Sequence, residues 1–323
     1  MNQPELDLAI VGASLRGLQR ARLAARDGQR VALFEQRAEP GGSARTLRSE
    51  GFAMELGPFA LAAAEWDGRC RGLDRPPPRA ALRDEAQSGW RWDGSGLVAT
   101  PVDGEPCSGR TGIEDLAVSY RRELGAALRL GRAVTRLRPG SADAFELELG
   151  GEVPATAAAR AVALAVPLDV AARLCGAFDP ALAAVAMRLR REPRAFAFLG
   201  TWQDDAAAAA LRGFGVLVEE PGALRELLFC SNAFANRAVA GKALVRVELG
   251  SDSLGPDATA ASDDDVSALA ERELRRLTGW SGTVLFRRVH RFAVLVRDGA
   301  FTECLVRVRH VVQRASGLEW IEA

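Results

Sequence analysis

The chain is short of the residues that most enzyme chemistry draws on. Among its 323 residues there is one lysine, Lys242, one tyrosine, Tyr120, and two histidines, His290 and His310. A lysine-dependent mechanism therefore has a single candidate. Neither sign of charge is in excess, because 42 basic residues balance 42 acidic ones. No global field points to nucleic acid or an anionic membrane, which leaves only a local patch to act in that way, and nucleic acid is not expected as a partner. The five cysteines, Cys70, Cys107, Cys175, Cys230 and Cys304, form no C-x-x-C pair, and only His310 lies near one of them. That pattern lacks the spacing of a zinc site, so no metal is expected, and an odd, scattered set of thiols fits a reducing, cytoplasmic setting. Long apolar runs are missing too. The most apolar stretch, residues 161–175, is broken by Pro167, Asp169 and Arg173, and it falls short of the ~20 residues a membrane-spanning helix needs. From Met1 the chain passes directly into its first strand, leaving no room for a secretory signal, so a soluble protein without a transmembrane segment is expected.

What the sequence does contain is apolar residues, 48% of the chain, enough for a sizeable core and, at this length, for two domains. The opening stretch LDLAIVGASLRGL (residues 6–18) reads as a buried strand turning into a helix. A second strand at 30–34 follows the Asp27-Gly28 helix stop, the order of a βαβ half-unit. The turn is nearly G-x-G-x-x-G, with Gly12 and Gly17 in place and Ser14 at the middle position. Gly12 permits the tight turn and Gly17 the close packing of helix on sheet, while the helix N-terminus offers free N–H groups to a diphosphate. Glu35 ends the second strand, 23 residues after Gly12, where a carboxylate can accept from a ribose hydroxyl. Leu15 and Gln36, beside Ser14 and Glu35, complete a dinucleotide-contacting set.

A second glycine segment follows, QRAEPGGSARTLRSEGFAMELGP (residues 36–58). A nicotinamide-binding fold does not call for it. The combination of Glu35, Gly41-Gly42, Thr46, Gly51-Phe52, Glu55 and Gly57-Pro58 resembles the flavin-containing amine oxidase superfamily, and within it the protoporphyrinogen oxidase branch. The resemblance implies FAD as cofactor, with Gly41, Gly42 and Arg45 against its phosphates and flavin, Gly57 and Pro58 beside the isoalloxazine ring, and the Val134 backbone against the adenine. Residues 88–101, 128–140, 159–167, 213–220, 226–250 and 263–279 follow in family order. Asp263 to Asp265 read as an acidic helix start.

The implied fold is α/β, an FAD/NAD(P)-binding Rossmann-like domain with a reduced antiparallel-sheet substrate domain. The expected division is a discontinuous FAD-binding domain of residues 1–68, 108–170 and 285–323, and a remnant substrate domain of residues 69–107 and 171–284. Two family segments are not found in the sequence: a helical insertion before the Val134 strand, and a glycine turn with a last helix after residues 315–323. A protein partner completing the flavin site therefore joins a small-molecule substrate among the expected partners. Lys242 in an apparent hairpin turn and a single tyrosine disfavour an amine substrate. No acid or base stands out, since His290 and His310 both fall in strand-like, arginine-rich runs where a structural role is expected. The expected function is an FAD-dependent oxidoreductase passing hydride from substrate to flavin. The alternative is a catalytically silent relative serving as a subunit or interaction module.

Overall fold

A computed structural model describes residues 5–140, 144–219, 222–254 and 261–322. The expected domain ranges begin and end on residues 1–4 and 323, and the segment at 213–220 ends on residue 220, all outside the described residues.

The first sheet grows around β1 (Leu6–Val11), which is buried on both faces except at Asp7. A nearly unbroken apolar run of this kind suits a central parallel strand. β2 (Val31–Phe34) and the strand Ala155–Leu164 flank it in parallel. Leu128–Arg129 extends the sheet beyond β2, and Leu318–Trp320 lies parallel to the end of Ala155–Leu164. The strands Ala133–Pro139 and Phe145–Gly150 complete it as an antiparallel pair. Helix α1 (Leu15–Arg26) follows β1. The Ser14 hydroxyl caps its start by accepting from the Gly17 amide at 3.3 Å, an arrangement that satisfies one of the four orphan donors of a helix N-terminus. Leu15, Leu18, Ala21 and Ala24 form its buried stripe, and Gly28, at φ +78°, ends the turn after it.

The hairpin of β3 (Thr46–Ser49) and β4 (Phe52–Glu55) leads from the first sheet to the second. The second sheet has seven strands in the order Val284–Leu295, Arg191–Trp202, Lys242–Leu249, Leu224–Phe229, Gly215–Val218, Ser88–Trp92 and Leu97–Pro101. Its pairs are antiparallel apart from Gly215–Val218 with Ser88–Trp92. The helix Asp263–Thr278, started by a Ser262–Asp265 capping box, covers one face through Val266, Ala270, Leu274 and Leu277. Phe196, Phe198, Leu244 and Phe286 on the other face pack against Phe52, Met54 and Phe59. Gly200 makes room for Phe52, because a Cβ there would stand 2.4 Å from the Phe52 ring. Full burial of a phenylalanine contributes about 1.5–3 kcal/mol, so this contact is a principal tie between the β3–β4 hairpin and the second sheet.

The expected division is corrected in three places. Val284–Leu295 pairs along the whole of Arg191–Trp202 and belongs to the second sheet, not to the cofactor domain. Leu168, Ala171, Leu182 and Val185 pack with Val308 and Val311 on the first sheet, so the start of the 171–284 range belongs with that sheet. Leu73 and Cys107 pack with Leu18, Ala21 and Tyr120 of the cofactor side. His310 is also helical rather than strand-like. In the helix Gly299–Arg314 the buried residues are Cys304, Val308 and Val311, a helical spacing that the local Val-Arg alternation obscures. Among the described residues no helix is long and apolar enough to cross a membrane, and no three His, Cys, Asp or Glu side chains group as a metal site.

All five cysteines are free thiols. Burial pushes Cys70, Cys107 and Cys304 up to about 11 and Cys175 and Cys230 up to about 12. Because the thiolate is the reactive form, the folded protein should alkylate slowly at neutral pH. Cys70, the one thiol that is only half-buried, should react first. Timed mass spectrometry with iodoacetamide, with and without denaturant, checks this; rapid labelling of Cys175 in the folded protein would contradict it.

Candidate functional site

The two glycine segments read from the sequence meet at the carboxyl end of β1. The Gly41 amide donates to the Ala13 carbonyl at 2.7 Å, and Ser14 and Gly41 form a parallel bridge. Gly12 (φ +96°), Gly41 (φ +114°) and Gly42 (φ +62°) hold conformations that favour glycine. A Cβ on Gly12 would come within 2.6 Å of the Ala165 carbonyl oxygen. On Gly17 it would stand 2.2 Å from the Gly12 carbonyl oxygen, so this glycine is what lets α1 lie against the turn. On Gly42 a Cβ would press on the Ser14 Cα at 3.2 Å, so the serine in the motif's middle position has a glycine opposite it.

Glu35 is buried at the end of β2. Its carboxylate accepts from the Ala13 amide at 2.8 Å and from the Arg37 amide at 3.0 Å. Its backbone is fixed as well, since the Glu35 amide donates to the Arg129 carbonyl and the Arg132 amide to the Glu35 carbonyl. Val134 follows two residues after that link, half-buried against the first core. Gln36 is exposed, and the Leu15 side chain is buried under the turn. The amides of Leu15 and Arg16, first in α1, have no preceding helical turn to bond.

The second segment ends beside the other sheet. Arg45 lies 3.5 Å from Glu39 and is partly exposed. A Cβ on Gly57 would stand 2.1 Å from the Ser43 carbonyl oxygen, so the Gly57 and Ser43 backbones touch. Pro58 is exposed next to them. Burial lowers the pKa of His290, helped by Arg45 and then Arg37, which favours the neutral imidazole. His290 stacks in line with Phe292 and Phe196 at 6.1 and 6.4 Å. Lys242 begins its strand at the far end of the sheet, with its ammonium 5.4 Å from the Phe52 ring centroid.

Sequence reading misses the charged groups beneath this segment. The motif pattern gives Glu55 a place but no role, yet it is buried in a network: it accepts from Thr46 Oγ1 at 2.8 Å and the Ile113 amide at 3.2 Å, and pairs with Arg237 at 3.3 Å. Burial pushes its carboxyl up to about 7 against the pull of Arg237, Thr46, Ile113 and Arg246. Arg246 escapes notice although it leaves a signal, a charged residue in the otherwise apolar run ALVRV on a strand buried on both faces. Arg237, in an irregular loop, leaves none.

A family model for an NAD(P)-binding Rossmann-like domain matches residues 10–70. A second model, the flavin containing amine oxidoreductase, matches residues 84–307, more than half of the chain. The chain belongs to the flavin containing amine oxidoreductase family. Its cofactor is FAD. Solved structures similar to this oxidoreductase share its fold at low identity. One is “Putative protoporphyrinogen oxidase from Exiguobacterium sp. 255-15”, with a TM-score of 0.75 at 16% identity, covering 98% of this chain and 93% of that one. Another is the cyclohexylamine oxidase of Brevibacterium oxydans, at 0.75 and 10% identity over 99% and 93%. Reduced UDP-galactopyranose mutase matches at 0.74 and 12% over 99% and 88%.

Proposed function

We propose that this oxidoreductase binds FAD along the bridged glycine segments and acts on a small-molecule substrate in the manner of the protoporphyrinogen oxidase branch. The observation that carries the reading is the bridge itself. Gly41 N to Ala13 O, with Glu35 on the adjacent amide, brings every residue expected to hold the diphosphate and ribose onto one end of the first sheet. The residues fit the group: the Leu15 and Arg16 amides at a helix start suit a diphosphate, and Ser14 leaves them free by capping Gly17 instead. Glu35 would receive the ribose hydroxyls on the lone pairs its two amide donors leave over. Gln36 and the Val134 backbone would flank the adenosine end. Gly41, Gly42, Arg45, Gly57 and Pro58 would continue the contact toward the second sheet. When bound, FAD accepts a hydride equivalent from a substrate C–H or N–H bond and passes the electrons to oxygen or another acceptor. The chain's part is to bind, orient and exclude water. The Arg45 and Arg37 charges both reach His290, and positive charge gathered there would disfavour a protonated amine as substrate.

Titration with FAD, followed by its visible spectrum, tests the reading. Gly12→Val fills the turn and should abolish uptake. Glu35→Ala should weaken it by roughly 1.5–3 kcal/mol, the scale of a charge-assisted hydrogen bond. Equal FAD affinity in the wild type and both variants would sink the assignment.

A further inference from the structure

Arg246 is an arginine in the wrong place for a surface residue. It sits in the middle of the strand Lys242–Leu249, is 4% exposed, and lies on the face of the second sheet that packs against the β3–β4 hairpin and Phe59. Its Nη1 donates to the Gly57 carbonyl at 2.7 Å and to the Glu55 carbonyl at 3.3 Å. Its Nη2 donates to the Glu226 carboxylate at 2.8 Å. The flat of the guanidinium lies 4.1 Å from the Phe196 ring centroid and 5.5 Å from that of Phe59, while Nε has no acceptor among the described residues. Burying a guanidinium is costly unless it is paired and hydrogen-bonded. Holding a loop carbonyl alone needs only a neutral donor, so a charge kept at this cost points to a use for the charge.

We propose that Arg246 is a positioning residue that holds the Gly57-Pro58 segment from behind and sets a positive charge there which favours the reduced, negatively charged form of the bound cofactor. This rests on the reading above that Gly57 and Pro58 lie beside the flavin. Three observations support it. Arg246 is bonded directly to the Gly57 carbonyl, so its charge lies one peptide from the proposed contact. Its counter-ion Glu226 bonds the other terminal nitrogen and is partly exposed, 25% against 5% for the arginine side chain, so solvent weakens the anion more than the cation. The other acid nearby, Glu55, shares its charge with the fully buried Arg237, and burial favours its neutral form. The charges facing the segment from beneath, Arg246 and Arg237 against Glu226 and Glu55, therefore lean positive.

Two measurements test the proposal. In the apo protein, Arg246→Met should speed amide hydrogen exchange across residues 56–60 and leave β1 and α1 unchanged. In the FAD-loaded protein the same variant should bind reduced FAD about tenfold less well relative to oxidised FAD, which lowers a two-electron potential by about 30 mV. Arg246→Lys, which keeps the charge and loses the fork, should loosen the segment but hold most of the potential. Glu226→Gln should move the potential the other way, upward, because it removes the counter-charge, and it serves as the test should the methionine variant fail to fold. Unchanged exchange in Arg246→Met overturns the clamp, whether or not the wild type takes up FAD; failure of the wild type to bind FAD overturns only the cofactor reading. FAD uptake with a potential unmoved in Arg246→Met, or a lowered one in Glu226→Gln, overturns the electrostatic role.

Discussion

Arg237→Met is expected to destabilise the protein by about 3–5 kcal/mol at pH 8, the cost of leaving one member of a buried pair uncompensated. The Arg237 side chain is fully buried, and its partner Glu55 is 1% exposed. Arg237 also donates to Ser108 Oγ at 2.8 Å and to the Gly109 carbonyl, so its loss strips the hairpin β3–β4 from the strand Pro106–Gly109. Acid should soften the effect. Glu55 titrates at about 7, above its ordinary 4.5, so the folded protein holds a proton that the unfolded chain releases between those values. The stability this contributes is fully present below about pH 4.5 and is lost as pH rises through about 7. Without Arg237 the carboxyl takes up its proton more readily still. The methionine variant should therefore be nearer wild type at pH 6 than at pH 8, and Glu55→Gln added to it should remove most of that difference. Denaturant unfolding at the two pH values measures this, and equal losses at both would show that Arg237 does not govern the ionisation of Glu55 over that range.

Gly17→Ala should have the next largest effect. The new Cβ would lie 2.2 Å from the Gly12 carbonyl oxygen and 2.8 Å from the Ala165 Cβ. The first contact is backbone, so no side chain can rotate away, and α1 must lift from the turn. Overpacking of this kind costs roughly 1–3 kcal/mol or more, and lifting α1 carries the Leu15 and Arg16 amides off the glycine bridge. FAD affinity should fall by more than about a hundredfold, the equivalent of about 3 kcal/mol. Gly28→Ala is the control. Gly28 holds φ +78°, but a methyl group there would meet nothing within 4 Å, so the variant should lose roughly 1–2 kcal/mol of stability to left-handed strain with FAD affinity intact. A paired calorimetric melt and FAD titration separates the two. Wild-type affinity in Gly17→Ala would mean that the helix start does not contact the cofactor.

The first 58 residues are legible in some detail from the chain alone. Gly12, Ser14, Gly17 and Glu35 carry their meaning locally, because a strand, a tight turn, a helix cap and a strand end are set by neighbours within a few residues. The capped helix Asp263–Thr278 and the hairpin at Ser88–Trp92 and Leu97–Pro101 are legible for the same reason. Other features exist only once distant segments have packed. The partner of Val284–Leu295 is a strand some ninety residues earlier in the chain, and a half-buried alternating segment fits either sheet until pairing selects one. The helix at 299–314 is hidden because its arginines and valines alternate over the stretch that contains His310, and only packing on the first core selects Cys304, Val308 and Val311. The buried charges Glu55, Arg237 and Arg246 come from three separate segments, and although Arg246 interrupts an apolar run, none of the three shows its partners in the sequence. It is their removal from water into one low-dielectric space that fixes the ionisation of Glu55 and the position of Gly57.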